Sequence, residues 1–314
     1  MFSDFLPSSV ADIRDAEAIA LLQQMKRQML PVFFVSGKTA VTTAYVHYHP
    51  QAPSVPSTSP ILLLHGFDSS LLEFRRLLPL LGSRSEVWAV DLFGSGFTEY
   101  ISTTSVNPQT IRQHLLGVLE TWIKEPIVLV GASLGGAVAI DFTLHHPNWV
   151  RSLALIDSVG FSGSFPAGKF LPDPLIELGA DWLYFRKRAA LTAASALPLV
   201  DTALVDALRC SLVHQEMPGW KDAIASFTRS GGYADLSDRI TEIQHPTLIL
   251  WGAQDDVLGT ADANRFKQVI SGSQLIWIQQ AGHVPHYDQP KTVANHLLAF
   301  AQEPIKNPDT EQRF

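Results

Sequence analysis

Val128-Leu129-Val130-Gly131-Ala132-Ser133-Leu134-Gly135-Gly136-Ala137 is the stretch on which the fold turns. A short run, apolar on both faces, breaks at a serine bordered by glycines and then continues at helical spacing. It reads as a buried strand, a sharp turn and a helix, with G-x-S-x-G across the turn. The small residues Gly131, Gly135 and Gly136 leave room for a serine in a strained backbone conformation, so the Ser133 hydroxyl is offered to solvent above the sheet. Taken alone, five residues also fit an ordinary glycine-rich turn, and the flanking sequence has to decide.

Similar apolar runs occupy residues 61–64, 87–90, 153–156, 248–251 and 274–278. Amphipathic helices are expected from Ser70, over 108–122, 135–145 and 261–270, and over 290–301. Short runs buried on both faces and separated by helices specify an α/β fold, a mostly parallel central sheet flanked by helices. The alternation stops between about Phe161 and Ile240, where helices follow one another without a strand. This predicts an all-helical cap, residues 161–240, inserted late in the strand order of a core formed by 1–160 and 241–314. Such a cap would lie over the carboxyl ends of the strands, where open α/β sheets bind ligands. Ahead of the sheet, the spacing predicts a helix over 11–30, capped by Ser8 or Ser9 and closed by Pro31. FFVSGK and TAYVHYH then read as a hairpin turning near Gly37, and YHPQAPSVPSTSP as a loop.

The 314 residues are 46% hydrophobic and 17% charged, a balance that supports a large core and excludes disorder. A net charge of −7 argues against a nucleic-acid partner, whose phosphates need cations. Cys210 is the only cysteine, so neither an intrachain disulfide nor a cysteine-ligated zinc is expected, which suits a reducing, cytoplasmic compartment. The N-terminus, MFSDFLPSSVADIRD, lacks the basic start and apolar run of a secretory signal, and no segment has the length of a membrane span. A soluble protein is expected, at most resting on a surface.

A serine hydroxyl is a weak nucleophile at neutral pH and needs a base, which in turn needs a group to orient it. His283, after the last apolar run and before the last helix, is placed to reach over the sheet; His286 is the nearby alternative. In Ser, Asp, His chain order the acid is expected after the preceding run, where Asp255 is favoured over Asp256; Asp157, at the end of its own run, competes. Stabilising an alkoxide takes two backbone N–H donors, one after the nucleophile and one in the loop after an earlier strand. Leu134 and Phe67 occupy those places. In His65-Gly66-Phe67-Asp68 the histidine then serves to brace the loop, Gly66 to turn it, and Asp91 to brace it from the next strand. Asp68 is expected to favour the following helix N-terminus electrostatically, with Ser69 or Ser70 as its cap. The remaining histidines, His114, His145, His146, His214 and His245, have no partners at ligand spacing and read as structural. Neither a dinucleotide fingerprint nor a metal cluster is seen, so no cofactor and no metal are expected.

Trp182, Tyr184 and Phe185 stand beside Arg186-Lys187-Arg188 in the cap. Two readings stand: the aromatics bind substrate and the segment makes peripheral contact with a membrane, or the aromatics are cap core and the cations a solvated face.

HGFDSSLLEFRR (65–76), WAVDLFGSGFT (88–98), WKDAIASFTRSGGY (220–233) and TLILWGAQDD (247–256), with the serine motif, resemble the α/β-hydrolase superfamily over about residues 41–301. Their wording is similar to that of the chlorophyll dephytylase group of plants and cyanobacteria. The resemblance implies a serine esterase that hydrolyses the phytyl ester of chlorophyll at photosynthetic membranes, with Ser133, Asp255 and His283 as triad and Phe67 and Leu134 as oxyanion hole. Ala132 stands where the plant enzymes are expected to have proline, and no plastid transit peptide is present, which suits a bacterial origin. The partner expected is a small-molecule ester with a large apolar group. The same triad also serves hydrolysis of a carbon–carbon bond or perhydrolysis, and a slow-turnover ligand-binding hydrolase fold is the non-enzymatic alternative. A dehalogenase or epoxide hydrolase would need aspartate at Ser133.

Overall fold

The computed structural model describes residues 2–50, 59–163, 165–196 and 202–303, so most of the loop expected over 48–60 lies outside the described residues. β1 (Lys26–Phe34) and β2 (Gly37–Tyr48) form a hairpin; β3 (Ile61–Leu64), β4 (Val87–Val90), β5 (Ile127–Ala132), β6 (Val150–Ile156), β7 (Thr247–Gly252) and β8 (Gln274–Ile278) follow. They make one sheet in the order β1-β2-β4-β3-β5-β6-β7-β8. Only the β1–β2 and β2–β4 pairs are antiparallel. β3, β4, β5 and β7 are buried along their whole length. Alternate residues therefore enter two separate cores, Leu62 and Leu64 on one face of the sheet and Ile61 and Leu63 on the other. Both faces are covered, which is why these strands read as unbroken apolar runs.

α1 (Ala16–Gln24), α2 (Leu78–Gly82) and α10 (Pro290–Gln302) pack on the Ile61 face. On the Leu62 face lie α3 (Pro108–Val118), α4 (Leu134–His145) and α8 (Ala261–Val269). A four-residue helix, α9 (Pro285–Asp288), precedes α10. Between β6 and β7 the described residues form no strand but three helices, α5 (Asp173–Ala196), α6 (Thr202–Leu212) and α7 (Trp220–Ser230), with 3-10 turns at Pro166–Phe170, Val213–Glu216 and Ser237–Glu242. This is the expected mostly parallel sheet with a helical insertion late in the strand order. No helix among the described residues is long and apolar enough to cross a membrane.

The N-terminal expectation needs correction. The helix is confined to α1 and is capped by Asp15, whose Oδ1 accepts from Ala18 N at 2.9 Å, while Ser8–Asp12 is a 3-10 turn. Residues 26–30, assigned to the helix by spacing, belong instead to the strand 26–34, in which Leu30, Val32 and Phe34 alternate inward. Pairing with β2 overrides the local helical pattern. Pro31 sits inside β1 opposite Ala40, which is tolerated because β1 is an edge strand. After Ser70 there is a 3-10 turn, Leu71–Phe74, and then only the short α2.

Candidate active site

Every residue singled out for chemistry follows the carboxyl end of a parallel strand, so strand order alone gathers them on one edge of the sheet. Ser133 joins β5 to α4 at φ 52 and ψ −118, a left-handed conformation costly for any residue with a side chain. Backbone bonds hold it there: Ser133 N donates to Ile156 O at 2.9 Å, and Ser133 O accepts from Gly136 N and Val159 N, each at 3.0 Å. A Cβ on Gly131 would strike the Gly135 carbonyl, and one on Gly135 would strike the Leu64 carbonyl. These glycines allow the helix to begin directly against the sheet.

His283 Nε2 lies 3.0 Å from Ser133 Oγ, and its Nδ1 lies 3.0 Å from Asp255 Oδ2. With Nδ1–H donating to the carboxylate, the Nε2 lone pair faces the serine hydroxyl. The other Asp255 oxygen accepts from Val257 N at 2.8 Å and Leu258 N at 3.1 Å, which locks the buried carboxylate in place. Asp256 is exposed. His286, the alternative base, is buried against Phe74 and lies 3.4 Å from Glu73.

Asp157, the competing acid, accepts from Gly252 N at 2.8 Å through Oδ1, while Oδ2 is buried without a partner among the described residues. Burial, followed by the charges of Asp255 and Asp288, pushes its carboxyl up to about 9. Asp157 is therefore the carboxyl held neutral, and Asp255 is the one hydrogen-bonded to His283. A carboxyl raised in the folded state contributes stability below its unfolded value of about 4 and loses it as pH rises toward 9. Asp157→Asn keeps the acceptor, tolerates the left-handed φ of 38 and removes that loss. Its melting temperature is expected to match the native protein near pH 4 and exceed it by several degrees at pH 8, measured by circular dichroism; a gap that does not widen with pH would refute this.

The loop after β3 is braced as expected. His65 Nδ1–H donates to Gly66 O at 2.8 Å, and Nε2 accepts from Leu92 N at 3.1 Å. Burial lowers the His65 pKa, in keeping with this neutral ring. Glu73 accepts from Gly66 N at 3.1 Å, and Asp91 accepts from Leu71 N at 2.6 Å and Phe97 N at 2.7 Å. Burial pushes the Asp91 carboxyl up to about 7, against these backbone bonds. Gly66 passes close to Ser133: a Cβ on it would stand 3.3 Å from the serine Cβ. Neither the Phe67 nor the Leu134 N–H has an acceptor among the described residues. Ser70 caps the 3-10 turn through Leu72 N at 3.4 Å.

Asp68 departs from expectation. Its carboxylate turns away from the following turn and is held by four cap side chains: Lys187 (2.8 Å), His214 (3.1 Å), Gln215 (3.0 Å) and Trp220 (3.0 Å). Burial alone would raise its carboxyl, but the His214 hydrogen bond and the Lys187 charge outweigh it and hold it at about 2. His214, read as structural, and Lys187, read as part of a surface triplet, are thus internal partners of one carboxylate. Arg186 and Arg188 lie over the rings of Trp182 and Tyr184, so the three cations do not form one free face.

Ser133 opens on a cavity of about 610 Å³ between sheet and cap, walled by Phe67, Ile176, Leu183, Phe227, Val257 and Leu258 among others. Its described lining has no charged side chain. Trp182 lines it, whereas Tyr184 packs on Trp220 and Phe185 is exposed. On a helix Tyr184 points away from the side shared by Trp182 and Phe185; Leu175, Ile176, Gly179, Ala180 and Leu183 line the cavity. A His-x-His pair at the end of β2, His47 in the strand and His49 just past it, and the antiparallel register with β4 also bring His47, His49 and Glu86 together, a group with metal-ligand geometry that the sequence did not reveal. It lies at the opposite end of the sheet. Glu86 Oε1 is already satisfied there by His47 Nε2 (2.8 Å) and Trp88 Nε1 (3.1 Å).

Comparison with known proteins agrees with this architecture. Alpha/beta hydrolase domain-containing protein VTE7 of Arabidopsis thaliana is 32% identical over 304 residues, 96% of this chain and 90% of the relative. The 2-hydroxy-6-oxo-2,4-heptadienoate hydrolase of Pseudomonas putida is 28% identical over 259 residues, 78% of this chain and 91% of its own. The structure of a thermophilic esterase from Thermogutta terrifontis superposes with a TM-score of 0.69 at 20% identity, covering 88% of this chain and 97% of the esterase. The sequence model of the alpha/beta hydrolase family spans residues 61–296, from β3 into α10, and the chain belongs to that family.

Proposed function

We propose that the protein is a serine carboxylesterase acting on an uncharged ester with a large apolar group, the phytyl ester of chlorophyll being the form that its sequence resemblance suggests. The observation carrying this reading is the line of hydrogen bonds from Asp255 through His283 to Ser133, ending at a cavity whose described lining has no charged side chain. In the proposed reaction Ser133 Oγ attacks the ester carbonyl as its proton passes to His283 Nε2. Asp255 holds the tautomer and offsets the imidazolium charge. The carbonyl oxygen becomes an alkoxide facing the N–H groups of Phe67 and Leu134. Collapse expels the alcohol, which takes the proton from His283; water then repeats the sequence on the acyl-enzyme and releases the acid.

A carbon–carbon hydrolase would keep the same three residues, and the Pseudomonas putida relative is named for a dienoate substrate. A dienoate carries a carboxylate, for which the described cavity wall offers no cation; this favours the ester. Gly179 separates the two readings from one that needs only Ser133. It lies on the cavity wall with open space beyond its Cα. Gly179→Phe is expected to lower kcat/KM for a palmitoyl p-nitrophenyl ester by roughly 10- to 100-fold, several methylenes of lost burial, while sparing the acetyl ester. Equal effects on both esters would remove the cavity from the account.

Peripheral membrane contact through the cap is also proposed, on a different footing from the basic triplet. Leu178, Trp182 and Phe185 are exposed at i, i+4 and i+7 on α5 beside the cavity mouth. Leu178→Asp together with Phe185→Asp is expected to abolish sedimentation with phosphatidylcholine vesicles; unchanged sedimentation would end the idea.

A further inference from the structure

We propose that Asp68 is a positioning residue of the oxyanion hole, through which the seated cap sets the direction of the Phe67 N–H. The inference rests on the reading of Ser133 as nucleophile. Phe67 N–H belongs to the Gly66–Phe67 peptide, whose carbonyl is gripped from the core side by His65 Nδ1 at 2.8 Å. In a trans peptide the N–H points opposite to the carbonyl, and no peptide among the described residues is cis. One anchor of this plane therefore lies behind it.

The second anchor is Asp68, one residue further on. Its φ of 48 turns the chain through a left-handed conformation, which persists only where the surroundings over-determine it. Those surroundings are the cap. Lys187 Nζ reaches both the Asp68 carboxylate and the Asp68 carbonyl, each at 2.8 Å. His214, Gln215 and Trp220 fill the remaining acceptor positions of the carboxylate. The partners come from α5, from the 3-10 turn Val213–Glu216 and from α7, so three separate cap elements converge on one core side chain. The Phe67 ring is also seated against Phe227 of α7, with centroids 6.1 Å apart. An open or displaced cap would release the Asp68 side of the loop and leave the donor held from one side only. A latch of this kind makes transition-state stabilisation conditional on a closed cap, beyond any contribution to stability.

Asp68→Ala and the milder Trp220→Phe and Gln215→Leu test it. The readouts are kcat and KM for p-nitrophenyl butyrate and the affinity for an alkylboronic acid, whose adduct with Ser133 places a charged oxygen in the hole. Asp68→Ala is expected to lower kcat roughly 10- to 100-fold with KM little changed, and to weaken the boronate by the same factor. Trp220→Phe and Gln215→Leu are expected to move both quantities the same way by less. Should Asp68→Ala not fold, these two decide alone. Variants that melt lower yet keep native kcat and boronate affinity would show a purely structural latch and overturn the positioning role alone. A native protein that neither turns over the ester nor binds the boronate would overturn the Ser133 reading, and this role with it.

Discussion

Replacing Ser133 with alanine is expected to lower kcat for p-nitrophenyl butyrate by roughly 10⁶, to the level left by binding and the oxyanion donors alone. The loss should come without unfolding. The left-handed conformation at Ser133 is imposed by backbone bonds to Ile156, Gly136 and Val159, none of which uses the hydroxyl. Alanine at φ 52 retains the strain that serine already bears, so the melting temperature should shift by only a few degrees. An active Ser133→Ala protein would require another nucleophile, and among the described residues no other serine hydroxyl is hydrogen-bonded to a histidine.

Asp255→Asn is expected to lower kcat by roughly 10⁴. Asp255 Oδ1 is pinned by two backbone N–H groups, so an asparagine would keep its oxygen there and turn its amide toward His283 Nδ1. That amide can only donate, which forces the proton of the imidazole onto Nε2 and points it at the hydroxyl it should accept from. Asp157→Asn, in contrast, is expected to retain most activity, because Asp157 is neutral and bonded to Gly252 N. Steady-state kinetics on the two variants therefore distinguish the carboxylates; a reversed order would transfer the orienting role to Asp157.

The central strands were legible because burial on both faces leaves an unbroken apolar run, and Ser133, His283 and Asp255 were legible because each follows an apolar run in a fixed order. The first part of β1 was hidden: Ile13, Ala16, Ile19, Ala20 and Met25 satisfy helical spacing, and the pattern carries on into Leu30 before the pairing with Val41 is known. The role of Asp68 was hidden for a related reason. Its partners lie 119 to 152 residues further along the chain, and nothing local distinguishes a carboxylate that caps a turn from one that receives a buried lysine. Trp182, Tyr184 and Phe185 mark the opposite case. Helical geometry by itself sets Tyr184 apart from Trp182 and Phe185, with which composition had grouped it.

The most direct test of the account is covalent labelling by a fluorophosphonate followed by mass mapping of the peptides. The expected result is a single adduct on Ser133, absent in Ser133→Ala and strongly slowed in His283→Ala. Ester turnover by a native protein that carries no adduct, or carries it on a different residue, would contradict the assignment of Ser133 as the nucleophile.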